Sequence, residues 1–126
     1  MSHRFDLRVY YEDTDLGGIV YYANYLKFIE RGRSEWVREI GVDQRKLMDE
    51  DGIGFAVRRI EADYLRPAHL EDQLCVVTEH MESGNSKFVL RQAVMRGDET
   101  LFEAVVTLVA INRAGRPVRI PAVLRA

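Results

Sequence analysis

The apolar spacing of a long helix occurs once in this chain, and almost everything after it reads as strand. Tyr22, Tyr25, Leu26, Ile29, Trp36, Val37 and Ile40 recur at three- and four-residue intervals, which lays one apolar stripe along a helix of roughly 17 residues. Lys27, Glu30, Arg31, Arg38 and Glu39 fall largely off that stripe. Gly41 stands where a glycine ends a helix, and Asp43 is placed to cap a short helix over 44–50 that Asp51-Gly52-Ile53-Gly54 breaks. From residue 55 the period drops to two. Residues 55–65, 73–82, 86–96 and 100–112 read as strands, and the breaks at Ser83-Gly84-Asn85 and Gly97-Asp98-Glu99 are short enough for antiparallel hairpins. Residues 4–10 also alternate, with Phe5, Leu7 and Val9 on one side. Residues 104–111 are mostly apolar on both strand faces, so that strand is expected to be central and covered on both sides. The expectation is an α+β chain, with a mostly antiparallel sheet of five to six strands wrapped around one long central helix. A single helix covers one sheet face, so a second copy of the chain is the economical cover for the other.

The 126 residues, 47% of them hydrophobic, suit a single domain over 1–126. A net charge of −2 supplies no positive field for a polyanion, which argues against nucleic acid as a partner. Of the 18 basic residues all but Lys27, Lys46 and Lys87 are Arg. That bias suits planar phosphate or carboxylate recognition, although solvated surface stems are the default reading. Cys75 has no cysteine partner for a disulfide or a metal site, and it lies in the apolar run Leu74-Cys75-Val76-Val77, where a buried inert thiol is expected. With neither a signal-like apolar run at the amino terminus nor any stretch near 18 apolar residues, a cytoplasmic protein without an integral membrane segment is expected.

The sequence holds no GxSxG elbow and no HExxH, and His3, His69 and His80 are not spaced as metal ligands, so no metal site is expected. His80, at a strand end, is expected to be a surface residue rather than a base. The densest group of ionisable residues beside glycines is 11–25, between the first strand and the helix. There Glu12, Asp13 and Asp15 precede Gly17 and Gly18, and the helix start offers free amides. A carboxylate beside anion-stabilising amides is what attack on a carbonyl requires. The plainer alternative is that Asp13, Thr14 and Asp15 satisfy backbone amides in a tight turn. Tyr21, Tyr22, Tyr25 and Phe28 read first as core packing.

The run Asp13-Thr14-Asp15-Leu16-Gly17-Gly18-Ile19-Val20-Tyr21-Tyr22-Ala23-Asn24-Tyr25 resembles the signature of hotdog-fold acyl-CoA thioesterases of the 4-hydroxybenzoyl-CoA thioesterase family, nearest to the YbgC branch associated with the Tol-Pal cell-envelope system. Phe28-Ile29-Glu30-Arg31-Gly32-Arg33-Ser34-Glu35 and Asp63-Tyr64-Leu65-Arg66-Pro67-Ala68 extend the resemblance over nearly the whole chain. It implies a hotdog fold whose subunits pair edge to edge, so a homodimer or homotetramer is expected. It also implies a catalytic carboxylate at Asp15 and an oxyanion-binding backbone amide at Tyr22, at the helix start. Asp15 would act as nucleophile or as general base.

Substrate contacts are expected at Gly17, Gly18, Ile19, Val20, Tyr25, Arg66, Ser86 and Lys87, with coenzyme A as part of the substrate and no separate cofactor. Two departures stand out. Many members of that branch carry His where this chain has Tyr22, and the wider family's basic cluster before the fourth strand is here Ser83-Gly84-Asn85-Ser86-Lys87, with one cation. Arg58, Arg59 or Arg66 would then supply phosphate contacts, or an acyl carrier protein would deliver the acyl group. The alternative from another class is a non-catalytic hotdog domain that binds acyl thioesters, acyl carrier protein or cell-envelope assembly partners.

Overall fold

The computed structural model describes residues 2–125. Five strands form one antiparallel sheet: β1 (Ser2–Arg8), β2 (Gly54–Tyr64), β3 (Gln73–Ser83), β4 (Lys87–Arg96) and β5 (Glu99–Ile111), in the order β1-β3-β4-β5-β2. Helix α1 (Asn24–Glu39) crosses one face of it. Gly41 ends this helix at a φ of 101°, a conformation that costs glycine nothing. Asp43 caps the next turn by accepting from Lys46 N–H at 3.0 Å. Residues 44–51 do not form one short α-helix: α2 (Gln44–Lys46) widens into a π turn over Leu47–Asp51, and left-handed Gly52 closes it.

The core-side residues of β5 (Phe102, Ala104, Val106, Leu108 and Ala110) are buried beneath the helix side of the sheet. Val105, Thr107, Val109 and Ile111, on the reverse face, are only half-buried. The expected cover on both sides is therefore absent from one protomer, while β5 is an interior strand of the sheet, paired with β4 on one side and β2 on the other.

The helix does not sit over the middle of the sheet. It packs closely on β1, β3 and β4 and less closely on β2 and β5. Gly32 explains this lean, because a Cβ there would lie 2.4 Å from Val76 Cγ1 on β3. Glycine inside a helix costs about 1 kcal/mol against alanine, and here it allows backbone and strand to touch. Beside it, the buried Gln92 amide donates to Ile29 C=O at 2.8 Å and to the Thr78 hydroxyl at 2.9 Å. A glutamine on the core side of β4 thus fixes the helix height over the sheet without leaving its polar atoms unpaired.

On the other flank, Glu30, Arg33 and Ser34 of α1 face Phe55, Val57 and Leu108 across a cavity of about 370 Å³. Val57 is 43% exposed although it projects to the helix side. Arg33 reaches Gln92 Oε1 at 3.5 Å, and burial lowers its guanidinium from its ordinary value.

Candidate active site

Residues 13–21 fold back as a small hairpin between β1 and α1. Thr14 and Val20 pair across it, Asp15 N–H donates to Ile19 C=O at 3.0 Å, and Tyr21 N–H donates to Asp13 C=O at 3.0 Å. The Asn24 side-chain amide donates to that same Asp13 carbonyl at 2.9 Å. At the tip, Gly18 adopts a φ of 76°.

Each polar side chain of the first leg binds backbone, as turn chemistry requires. Asp13 Oδ2 accepts from Tyr10 N–H at 2.8 Å, the Thr14 hydroxyl donates to Tyr11 C=O at 2.9 Å, and Asp15 Oδ1 accepts from Gly17 N–H at 2.9 Å. Burial separates them. Asp13 is 8% exposed and serves the turn, whereas Asp15 is exposed and, among the described residues, only its Oδ1 is engaged. The Gly17 bond orients the Asp15 carboxylate and leaves Oδ2 open to water or ligand.

Helix α1 begins at Asn24, so Tyr22 lies in the turn two residues before it and not in its first turn. Its N–H nevertheless donates to no protein acceptor among the described residues, as at a helix start. Its carbonyl is held by the Tyr64 hydroxyl, which donates at 3.1 Å. The rings of Tyr22 and Tyr64 meet edge to face at 6.1 Å, and Tyr64 packs on Tyr25 at 5.6 Å and on Phe102 at 4.9 Å. Burial pushes the Tyr64 phenol above its ordinary value, which keeps it a donor. Tyr64 was not among the residues expected to form the site. Its alternation with Ile60 and Ala62 places it on the helix side of β2 but carries no sign that it reaches Tyr22.

Beneath this pair Tyr25 is core, as expected, stacked on Phe102 at 5.1 Å, and its hydroxyl accepts from Ala68 N–H at 3.0 Å. Tyr21 and Tyr22 are not core: Tyr22 is 62% exposed. The segment 65–72 completes the wall. Val20 N–H donates to Ala68 C=O at 2.9 Å, Ile19 pairs with His69, and Leu70 N–H donates to Gly18 C=O at 3.3 Å. Ile19, Val20, Tyr22, Tyr25, Tyr64 and Arg66 line a cavity of about 260 Å³.

The structure thus gathers Asp15, Gly17, Gly18, Ile19, Val20, Tyr22, Tyr25 and Arg66 at one end of the sheet. It does not bring Ser86 and Lys87 there. They stand where β4 starts, while Arg96 at the end of β4 marks the site end, a separation of about 30 Å at the usual rise per strand residue. Within one protomer Ser86 and Lys87 therefore stand apart from the other residues expected to contact substrate.

Other candidates resolve differently. Cys75 is half-buried on the sheet face away from α1, not in the core, and burial raises its thiol from the ordinary value. His80 is half-buried rather than on the surface, with a ring nitrogen 2.6 Å from Ser83 Oγ and its ring 5.9 Å from Trp36. Among the described residues no helix is long and apolar enough to cross a membrane.

Comparison with known proteins agrees with this architecture. A solved structure of a probable thioesterase from Bartonella henselae superposes with a TM-score of 0.92 at 37% identity, covering 96% of this chain and all of that one. An acyl-CoA thioesterase YbgC from Haemophilus influenzae is 38% identical over 97% of this chain and 90% of its own length. An acyl-CoA thioester hydrolase YbgC from Escherichia coli is 40% identical over 86% of this chain and 81% of its own. Residues 17–103, which run from the signature turn into β5, match the thioesterase superfamily, and the chain belongs to that superfamily.

Proposed function

We propose that this chain is an acyl-CoA thioesterase that hydrolyses an acyl thioester to the free acid and coenzyme A, with Asp15 as the reacting carboxylate and the Tyr22 amide as oxyanion donor. The observation that carries this reading is their arrangement in one hairpin: among the described residues, a carboxylate oriented through one oxygen only, and an amide with no protein acceptor whose own carbonyl is tethered. The relatives named above, acyl-CoA thioesterases over most of their length, support the substrate class.

Two routes use the same atoms. In one, Asp15 Oδ2 attacks the thioester carbon, the coenzyme A thiolate leaves, and water opens the resulting anhydride. In the other, Asp15 takes a proton from the water that attacks, and the tetrahedral intermediate expels the thiolate. In both, charge on the carbonyl oxygen grows beside the Tyr22 N–H, which is fixed before the reaction and so needs no reorganisation. Residues 1–126 form one hotdog unit in this reading, with the sheet wrapped around α1. Its working form is a homodimer or homotetramer in which the edge strand β2 pairs with a second copy.

The test is thiol release from a series of acyl-CoAs, with wild type and Asp15→Asn side by side. The Asn variant should lose about 1,000-fold in kcat/KM, roughly 4 kcal/mol of transition-state stabilisation, with its unfolding curve unchanged. A folded Asn variant with near wild-type turnover removes Asp15 from the mechanism. Wild type that releases no thiol from any acyl-CoA, yet retains an acyl carrier protein, favours a binding domain.

A further inference from the structure

Outside the hairpin, the same end of the sheet holds a chain of four charged side chains with Arg96 at its hub. Arg96 Nε and Nη2 donate to Glu99 Oε1 at 3.2 and 2.7 Å, and Nη1 donates to Asp72 Oδ2 at 2.7 Å and to Pro67 C=O at 3.3 Å. The second oxygen of Glu99, Oε2, lies 3.4 Å from Arg66 Nε. Asp72 Oδ2 also accepts from His69 N–H at 2.8 Å.

Arg96 therefore reaches segment 65–72 directly at Pro67 and Asp72, and through Glu99 at Arg66, while Asp72 in turn holds His69. This segment walls the cavity beside Tyr22 and receives the Val20 N–H at Ala68. Exposed ion pairs taken singly add little stability, so three groups gathered on the Arg96 guanidinium, one of them passing on to Arg66, point to a geometric role.

Arg66 is where that geometry leads. Its side chain is 65% exposed, and Glu99 Oε2 pairs with it on the Nε side at 3.4 Å. A guanidinium paired on its Nε side keeps its two terminal nitrogens, the pair that grips a phosphate in bidentate fashion. Arg66 also borders the cavity that Tyr22 borders, whereas Lys87 is at the far end of the sheet. Arg66 and Arg96 are balanced by Glu99 and Asp72, so an incoming phosphate meets a guanidinium biased toward the cavity wall by its carboxylate partner rather than a strong positive field.

We infer that Arg66 is the residue that binds a phosphate of coenzyme A, and that Arg96, acting through Glu99 and Asp72, is a positioning residue for it. This rests on the proposed thioesterase reading and adds to it which cation meets the nucleotide part of the substrate and what holds that cation in place.

The experiment compares an acyl-CoA with the N-acetylcysteamine thioester of the same acyl group, which has the scissile bond but no phosphate. For wild type, Arg66→Ala, Arg96→Gln, Arg96→Lys and the Arg66→Ala/Arg96→Gln pair, kcat and KM are measured on both. Arg66→Ala should raise the ratio of KM on acyl-CoA to KM on the truncated thioester roughly tenfold, and Arg96→Gln roughly fivefold. Arg96→Lys, still able to hold one carboxylate, should recover part of that loss, and the pair should be no worse than Arg66→Ala alone.

If Arg96→Gln unfolds, Glu99→Gln carries the same test, because it weakens the link between Arg96 and Arg66 and leaves Arg96 on Asp72 and Pro67. Equal losses on both substrates, or a KM ratio that Arg66→Ala does not change, overturn the inference while the thioesterase reading stands. Wild type that cleaves neither substrate overturns both.

Discussion

The two flanks of α1 are built to opposite specifications. On the flank toward β3 and β4 the helix backbone comes so close that position 32 has no room for a methyl group, and Gln92 ties the helix to the sheet at fixed height. On the flank toward β2 the helix and sheet stand apart, a cavity separates them, and Val57 and Tyr64 remain partly in water. The closed flank determines where the helix lies. The open flank is what that placement leaves available, and the hairpin that presents Asp15 and Tyr22 enters α1 at its end. Packing spent on one side thus creates space on the other, and a helix centred over the sheet would give neither.

That contrast can be broken in several places. The largest effect belongs to the site: Asp15→Asn, at about 4 kcal/mol in kcat/KM, should leave the urea midpoint where it was. On the closed flank, Gly32→Ala should lower stability by about 2 kcal/mol in urea unfolding even though alanine is the better helix former. A stabilised alanine variant would mean that the approach to Val76 is loose, and the account of the lean would fall with it. Where the flanks meet, Tyr64→Phe removes the donor to Tyr22 C=O, and thiol release should show a loss of about 1 kcal/mol in kcat/KM, roughly fivefold.

The smallest effect is pH-dependent. Burial raises the Asp72 carboxyl, but the His69 N–H and Arg96 outweigh it and hold it below its ordinary value. Because the folded value is the lower one, its contribution is complete above the unfolded value and is lost as the pH falls through the folded one. Asp72→Asn should therefore cost about 0.5 kcal/mol at neutral pH, and the gap to wild type should close as the pH is lowered from about 4 toward 2. Urea midpoints for both proteins across that range check it, and a gap that widens in acid contradicts the sign.

Much of the frame is legible in the residues because it rests on local rules. The period-two runs 55–65 and 73–82 fall within a residue or so of β2 and β3, and Gly41 and Asp43 do at the helix ends what their side chains allow. The failures are tertiary. Gly32 reads as a gap in a helical stripe until Val76 is placed beneath it, and Gln92 reads as an ordinary polar residue until its amide meets Ile29 and Thr78. Residues 104–111 are mostly apolar on both faces, yet one protomer supplies cover for only one. At the site, Asp15 and Tyr22 stand out through composition and resemblance, whereas Tyr64, Asp72, Arg96 and Glu99 come from separate strands and loops and meet only once the sheet is formed.

The strand order also bears on how the chain folds. Strands β3, β4 and β5 succeed one another through short turns, so their pairing closes small loops and can form early. β2 must instead find β5 from across two intervening strands, in a register that joins Phe55 to Ala110 and Tyr64 to Phe102. Strand β1 must likewise find β3 from beyond the helix. Both borders of the sheet are thus joined through distant contacts, and φ-value analysis should find the central meander formed in the transition state, with β2 still unformed. The strand proposed to receive a second copy is then among the last to be made, which delays the exposure of a self-complementary edge until the rest of the chain is already folded.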